Sequence, residues 1–388
     1  MTKSLALILL ATAACGDNRA AQGDVDASPT IDAAPLPLRA VVVAGDFVAG
    51  HPGVMSVVDV KARTITTNVA PAGAVGEDPV LRKVGDELLV VNRASGNNVT
   101  ILDANTYALV EQLGTGASSN PQDVAVIGDK VFVATLGNKG AVQLTRGTTT
   151  VTTIDLSADD PDGKPNCNSV AYANNRLYFS CGLLDDTNVN LPPRGLGKVY
   201  VVNPTTLAVE RTITLTTNNP IALFEQVPST APHGSDLVLP TIDFGTGAGC
   251  VERIATATMS SAGCLVQNPA AFAFPGRVTF YTPEFTGPVA KVVPTPLMFL
   301  SISSYPNGYV RNFDLTTDTM LPNTLTPTSQ VVGDIAACPN GELVIADNPF
   351  PPSTAPAGIR IYDGANEKTT APLAVGLKPS SSHGITCY

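Results

Sequence analysis

Seven cysteines and three histidines carry what reactive chemistry this chain of 388 residues has. Cys15 follows a short apolar stretch, and the other six cysteines make an even set. Cys167 and Cys181 flank two strand-like runs around Asn174-Asn175, so a hairpin there sets one thiol opposite the other. Cys250 and Cys264 bracket a segment rich in Thr, Ala and Ser that could close in the same way, which leaves Cys338 and Cys387 as partners. Zinc is the competing use of such thiols, but no Cys-x-x-Cys pair occurs and histidine is scarce. No metal ligand is therefore assigned. Gly-x-Ser-x-Gly, His-Glu-x-x-His, the phosphate-binding Gly-Lys-Ser loop and the haem motif Cys-x-x-Cys-His are all absent. Asp159-Asp160-Pro161-Asp162-Gly163 offers the hard oxygens calcium takes, yet lacks the rest of an EF-hand loop and reads as a solvated turn. No cofactor is expected, with calcium the one alternative.

The first residues decide the compartment. Lys3 leads into Leu5-Ala6-Leu7-Ile8-Leu9-Leu10-Ala11, and Thr12-Ala13-Ala14 precede Cys15-Gly16. A charged start, a short apolar run and small residues form the layout of an export signal. The small residues before Cys15 resemble the bacterial lipobox, whose Cys is acylated and becomes the mature N-terminus, although Thr12 stands where that motif has Leu. Residues 1–14 are thus expected to be a lipoprotein signal peptide, and residues 15–37, rich in Asp, Ala and Pro, a disordered lipid-anchored tether. Gly16 is not the Asp that signals inner-membrane retention, so an outer-membrane location, facing periplasm or surface, is expected. In that oxidising setting the remaining six cysteines should form three disulfides. The net charge of -10, with no basic run, argues against nucleic acid as a partner.

The elements that must position these residues are strands. From Leu38 on, Thr, Val, Asn, Gly and Pro abound and no long helical period appears. A short apolar strand recurs as Val41-Val42-Val43-Ala44, Leu88-Leu89-Val90-Val91, Lys130-Val131-Phe132-Val133, Leu177-Tyr178-Phe179-Ser180, Leu237-Val238-Leu239-Pro240, Met298-Phe299-Leu300-Ser301 and Leu343-Val344-Ile345-Ala346. The spacing is roughly 43 to 61 residues, the period of propeller blades with some loop insertions. Most copies lead to an alternating strand ending in Asp or Asn, such as Ile101-Leu102-Asp103 and Val201-Val202-Asn203, where the carboxylate or amide caps a turn. Strands opened by Pro, Asn120-Pro121-Gln122-Asp123-Val124 and Asn219-Pro220-Ile221-Ala222-Leu223, precede many copies. Four strands per repeat make a blade. The first repeat lacks its opening strand, and His383-Gly384-Ile385-Thr386-Cys387-Tyr388 supplies it. The expected fold is all-β, with residues 38–388 a seven-bladed β-propeller of four-stranded blades whose first blade is closed by the C-terminal strand.

The repeated Pro-opened strand, the Val-rich second strand and the Asp-Thr turn resemble the YVTN-type seven-bladed propellers and their lactonase-like and quinoprotein-like relatives. The resemblance spans about residues 38 to 388, in a fold that serves many activities. In such blades the connections between second and third strands gather at the channel mouth. The candidate ligand-binding residues there are Asp46, His51, Asn92, Asp185, Asp186, Asp243, Asn307, Asp347 and Asn348. His383 opens onto the same face and belongs to the same blade as His51, which makes this pair the sharpest expectation for a small molecule or metal. His233 is expected on the opposite face. Polar loop tips occur on any propeller. The expected function is an envelope-anchored, monomeric, non-catalytic binding or scaffolding propeller for a protein, peptide or glycan, with a lactonase-like or quinoprotein-like enzyme as the alternative.

Overall fold

The computed structural model describes residues 37–388, except 243–246, 248, 269–272, 282–295, 305–306, 326–331, 350–355 and 381–382. The signal and tether residues, Cys15 and Asp243 lie outside the described residues, as does the side chain of Asn307. Among those described, the only helical piece is the 3-10 turn Ser157–Asp159.

Seven antiparallel sheets of four strands form the blades. Blade 1 consists of Arg39–Ala44, Val54–Asp59, Thr64–Thr66 and the C-terminal Ile385–Cys387. Residues 79–114, 121–155, 167–214, 219–268, 273–325 and 332–367 form blades 2 to 7. Strand alternation explains why the repeated second strand is apolar on both sides. In blade 1, Val41 and Val43 pack against Leu81, Leu88 and Val90 of blade 2, whereas Ala40, Val42 and Ala44 pack against Val344, Ala346 and Ile359 of blade 7. Each of the seven seams between blades holds one such cluster of buried residues. The core is thus a ring of seams.

The turns follow the expected chemistry. Asp103 Oδ1 accepts the amides of Asn105 and Thr106 at 2.9 and 2.7 Å, and Asn203 Oδ1 accepts those of Thr205 and Thr206 at 2.9 and 3.2 Å. The chain then reverses through a left-handed residue, Tyr107 or Leu207.

Closure is built from the ends of the sequence. Ile385, Thr386 and Cys387 pair with Val42, Val41 and Ala40. Disulfides join Cys167 to Cys181, Cys250 to Cys264, and Cys338 to Cys387. The first closes the hairpin of blade 4, the second links the third and outer strands of blade 5, and the third ties blade 7 to the closing strand of blade 1.

Blade 5 departs from the regular pattern. Its innermost strand is interrupted, pairing at Asn219–Pro220 and again at Glu225–Gln226. Pro240, in the middle of the second strand, turns its carbonyl toward Ile221. The nitrogen on that side has no hydrogen to donate, so the ladder breaks there. The break sets Glu225 on its own short piece of strand.

Candidate functional site on the propeller axis

The innermost strands bring one polar residue from every blade to the axis. Arg82 comes from blade 2, Asp123 from blade 3, Ser169 from blade 4, Glu225 from blade 5, Arg277 from blade 6, Asp334 from blade 7, and His383 from just before the closing strand of blade 1. Irregularities in pairing next to Asp123, Ser169, Arg277 and Asp334 free these side chains from strict alternation.

Arg82 grips Asp123 through two parallel bonds, Nε to Oδ1 at 2.8 Å and Nη2 to Oδ2 at 2.9 Å. The same Asp123 accepts Ser169 Oγ at 2.6 Å, and Ser169 in turn accepts the Phe224 amide at 2.8 Å. On the other side, Arg277 Nη1 donates to Asp334 Oδ2 at 3.1 Å and to the Ile385 carbonyl at 2.6 Å. Asp334 Oδ2 also receives the amides of Gly384 and Ile385 at 2.7 and 2.9 Å, so the C-terminal strand is seated on a carboxylate of blade 7. Glu225 joins the two halves. Its Oε1 lies 3.3 Å from Arg82 Nη1, 3.5 Å from Arg277 Nε and 3.3 Å from His383 Nε2.

Solvent reaches this ring unevenly. The side chains of Glu225, Arg82 and Arg277 are 20%, 16% and 11% exposed, while Asp123 and Asp334 are fully buried and His383 nearly so. Burial would raise the Glu225 carboxyl, but the guanidinium charges of Arg82 and Arg277 outweigh it and hold it at about 2. Burial and the Arg277 charge push the His383 imidazole down to about 3, so the ring is neutral. His383 Nε2 faces Glu225 without the alignment of a full hydrogen bond, and Nδ1 has no partner. Burial raises the Asp334 carboxyl. Chemically, the ring offers a solvent-reached carboxylate, a neutral imidazole beside it and two guanidinium groups.

The residues expected at the channel mouth occupy a different setting. His51 is exposed and its Nδ1 bonds Asp46 Oδ2 at 2.8 Å, whereas His383 is buried against Glu225, so the two imidazoles have separate partners. Asn92 is buried and binds the Gly76 amide, the Ala74 carbonyl, Asn98 and Thr100. Asp347 is buried and pairs with Arg360, and the Asn348 amide donates to the Pro379 carbonyl at 2.8 Å. Asp185 binds Arg194 at 2.6 Å, and Asp186 accepts Asn166 at 3.1 Å. His233 meets Asp318 at 2.9 Å.

Sequence reasoning named His383 but passed over Arg82, Asp123, Ser169, Glu225, Arg277 and Asp334. The available signal was a charged residue inside an otherwise apolar opening strand, as in Pro121-Gln122-Asp123-Val124-Ala125. Among the described residues, Cys250, Glu252 and Cys264 are the one group whose ligand atoms gather within 4.8 Å. Both sulfurs belong to a disulfide and Glu252 already accepts the Thr216 amide and hydroxyl, so no free ligand set remains there.

No family model matches the sequence, and no curated protein does. Solved structures do resemble the fold. A putative 6-phosphogluconolactonase from Bacteroides fragilis NCTC 9343 superposes with a TM-score of 0.60 at 13% identity, over 90% of this chain and 98% of that one. Another from Bacteroides uniformis ATCC 8492 gives 0.59 at 13% identity, over 90% and 99%. A protein from Lactobacillus plantarum gives 0.58 at 13% identity, again over 90% and 99%. At such identity the likeness speaks for the propeller alone.

Proposed function

We propose that the chain is an exported, lipid-anchored propeller that binds a protein or peptide partner and catalyses no reaction. The observation that carries this reading is the pairing within the axial ring: each charged group that the blades bring together lies against an opposite charge from another blade. An acid or base engaged in this way holds the ring shut. The binding face is the one where second-to-third-strand connections gather, because two of them hold large apolar side chains in water. Phe47 is 62% exposed in blade 1 and Val189 95% exposed in blade 4, with Leu191 and Leu196 beside it. Such side chains are the usual anchors of a protein contact. Envelope extracts passed over the immobilised protein should yield a partner that a Phe47→Asp, Leu191→Asp double variant fails to retain. An identical set of bound proteins from both would overturn the reading.

One observation favours a second reading, a lactonase-like enzyme. Glu225 is reached by solvent and lies beside the neutral imidazole of His383, between two arginines suited to an anionic substrate. Turnover on a lactone panel that disappears in Glu225→Gln would select this alternative.

A further inference from the structure

The acidic run after blade 3 folds against a loop that the sequence leaves far from it. Residues 156–166 connect the outer strand of blade 3 to the innermost strand of blade 4, and residues 182–197 connect the second and third strands of blade 4. Where they meet, four carboxylates stand together, Asp160 and Asp162 from the first loop and Asp185 and Asp186 from the second, while Asp159 accepts the Tyr200 hydroxyl. Only two cations answer them. Arg194 Nη2 reaches Asp162 Oδ2 at 3.1 Å and Asp185 Oδ1 at 2.6 Å, and its Nε is 3.9 Å from Asp160 Oδ1. Lys164 lies 3.4 Å from Asp186.

Charge excess alone would describe a solvated turn. Asp160 makes the difference. Its side chain is completely buried, its Oδ1 accepts the Asp162 amide at 3.2 Å, and its Oδ2 has no hydrogen-bond partner. A buried carboxylate oxygen left without a donor is costly.

We propose that the pocket between Asp160, Asp162 and Asp185 is a calcium site, and that Arg194 is the side chain the ion displaces. Calcium takes six to eight oxygens in irregular geometry, which carboxylates from two loops, nearby carbonyls and water supply, whereas magnesium demands a regular octahedron. With Arg194 wedged among them, the carboxylates do not gather within 4.8 Å of one another, so the guanidinium must leave before the ligands close. The ion would pin the loop that holds Val189, Leu191 and Leu196 in water.

Calcium chloride titrated into the purified full chain tests this by calorimetry, with the thermal midpoint followed in parallel. Binding is expected on the order of 10⁻⁴ to 10⁻³ M, the range of extracellular modules, with magnesium weaker. Asp160→Asn should weaken calcium at least about tenfold, and Arg194→Gln should tighten it by about the same factor, since one competing charge is removed. Asp185→Asn, at a more exposed ligand, gives the same readout should the buried variant fail to fold. The proposal is overturned by absence of heat and midpoint shift at about 10 mM calcium, tenfold above the upper end of that range. Binding that ignores both aspartate substitutions also overturns it. So does binding seen only in Arg194→Gln, because arginine would then be the resident cation.

Discussion

His383 illustrates how a side chain's chemistry depends on what the fold sets beside it. An imidazole held at about 3 when folded, against 6.5 when free, takes up its proton in the unfolded chain first. Stability should therefore fall as pH drops below 6.5, with a limiting slope of about 1.4 kcal/mol per pH unit for one proton. Glu225 adds to the loss below its ordinary 4.5, because its carboxylate is held near 2. Asp334 acts in the opposite sense, since its raised carboxyl is protonated more readily in the folded protein. Urea unfolding of His383→Gln should be flatter than wild type between pH 6.5 and about 3 and parallel to it below. Equal slopes throughout would mean that the imidazole is not buried neutral. The sequence exposed this histidine as a candidate and missed its neighbours. Arg82, Asp123 and Glu225 are separated by tens of residues, and nothing local marks them as converging.

At the scale of the element, turns and strands are where local sequence speaks most clearly. Asp103 Oδ1 accepts two amides and the Thr106 hydroxyl, so Asp103→Ala leaves those donors to water and should cost about 1 to 2 kcal/mol, as for a lost cap. Chemical denaturation would detect the shift, and Asp103→Asn should recover most of it. The Asp-Thr turns, the second strands and the Pro-opened strands were all readable from residue type. Blade 5 was not, because Asn219-Pro220-Ile221-Ala222-Leu223 looks like one strand and becomes two pieces. The cause is Pro240 on the partner strand, about twenty residues on, and a missing donor shows only once the two strands are paired.

The whole molecule is a ring, and its stability depends on how the ring is shut. Closure uses a strand of only three residues, Ile385–Cys387, aided by the Asp334 carboxylate and the Cys338 to Cys387 bond. That bond spans 49 residues, whereas the other two span 14 each. By loop entropy it should contribute about 4 kcal/mol and each hairpin bond about 3. Cys338→Ser with Cys387→Ser should therefore lower the urea midpoint more than the Cys167, Cys181 pair of substitutions does. The difference should exceed what entropy alone gives, since the closing strand then rests on its short pairing with Arg39–Ala44 and on the Asp334 carboxylate. Equal losses would mean that the closing strand is held without the bond.

The number of blades, the strand order within each, the turns and the partner of every paired cysteine follow from the amino-acid sequence, because alternation, turn chemistry and repeat period are local properties. What the tertiary structure alone decided is which polar side chains meet. The axial ring takes one residue from each blade, and the carboxylate pocket takes its members from two loops about twenty residues apart. A pattern of period two tells which side of a strand is buried, but not which other strand it will face, and only the closed ring supplies that distance.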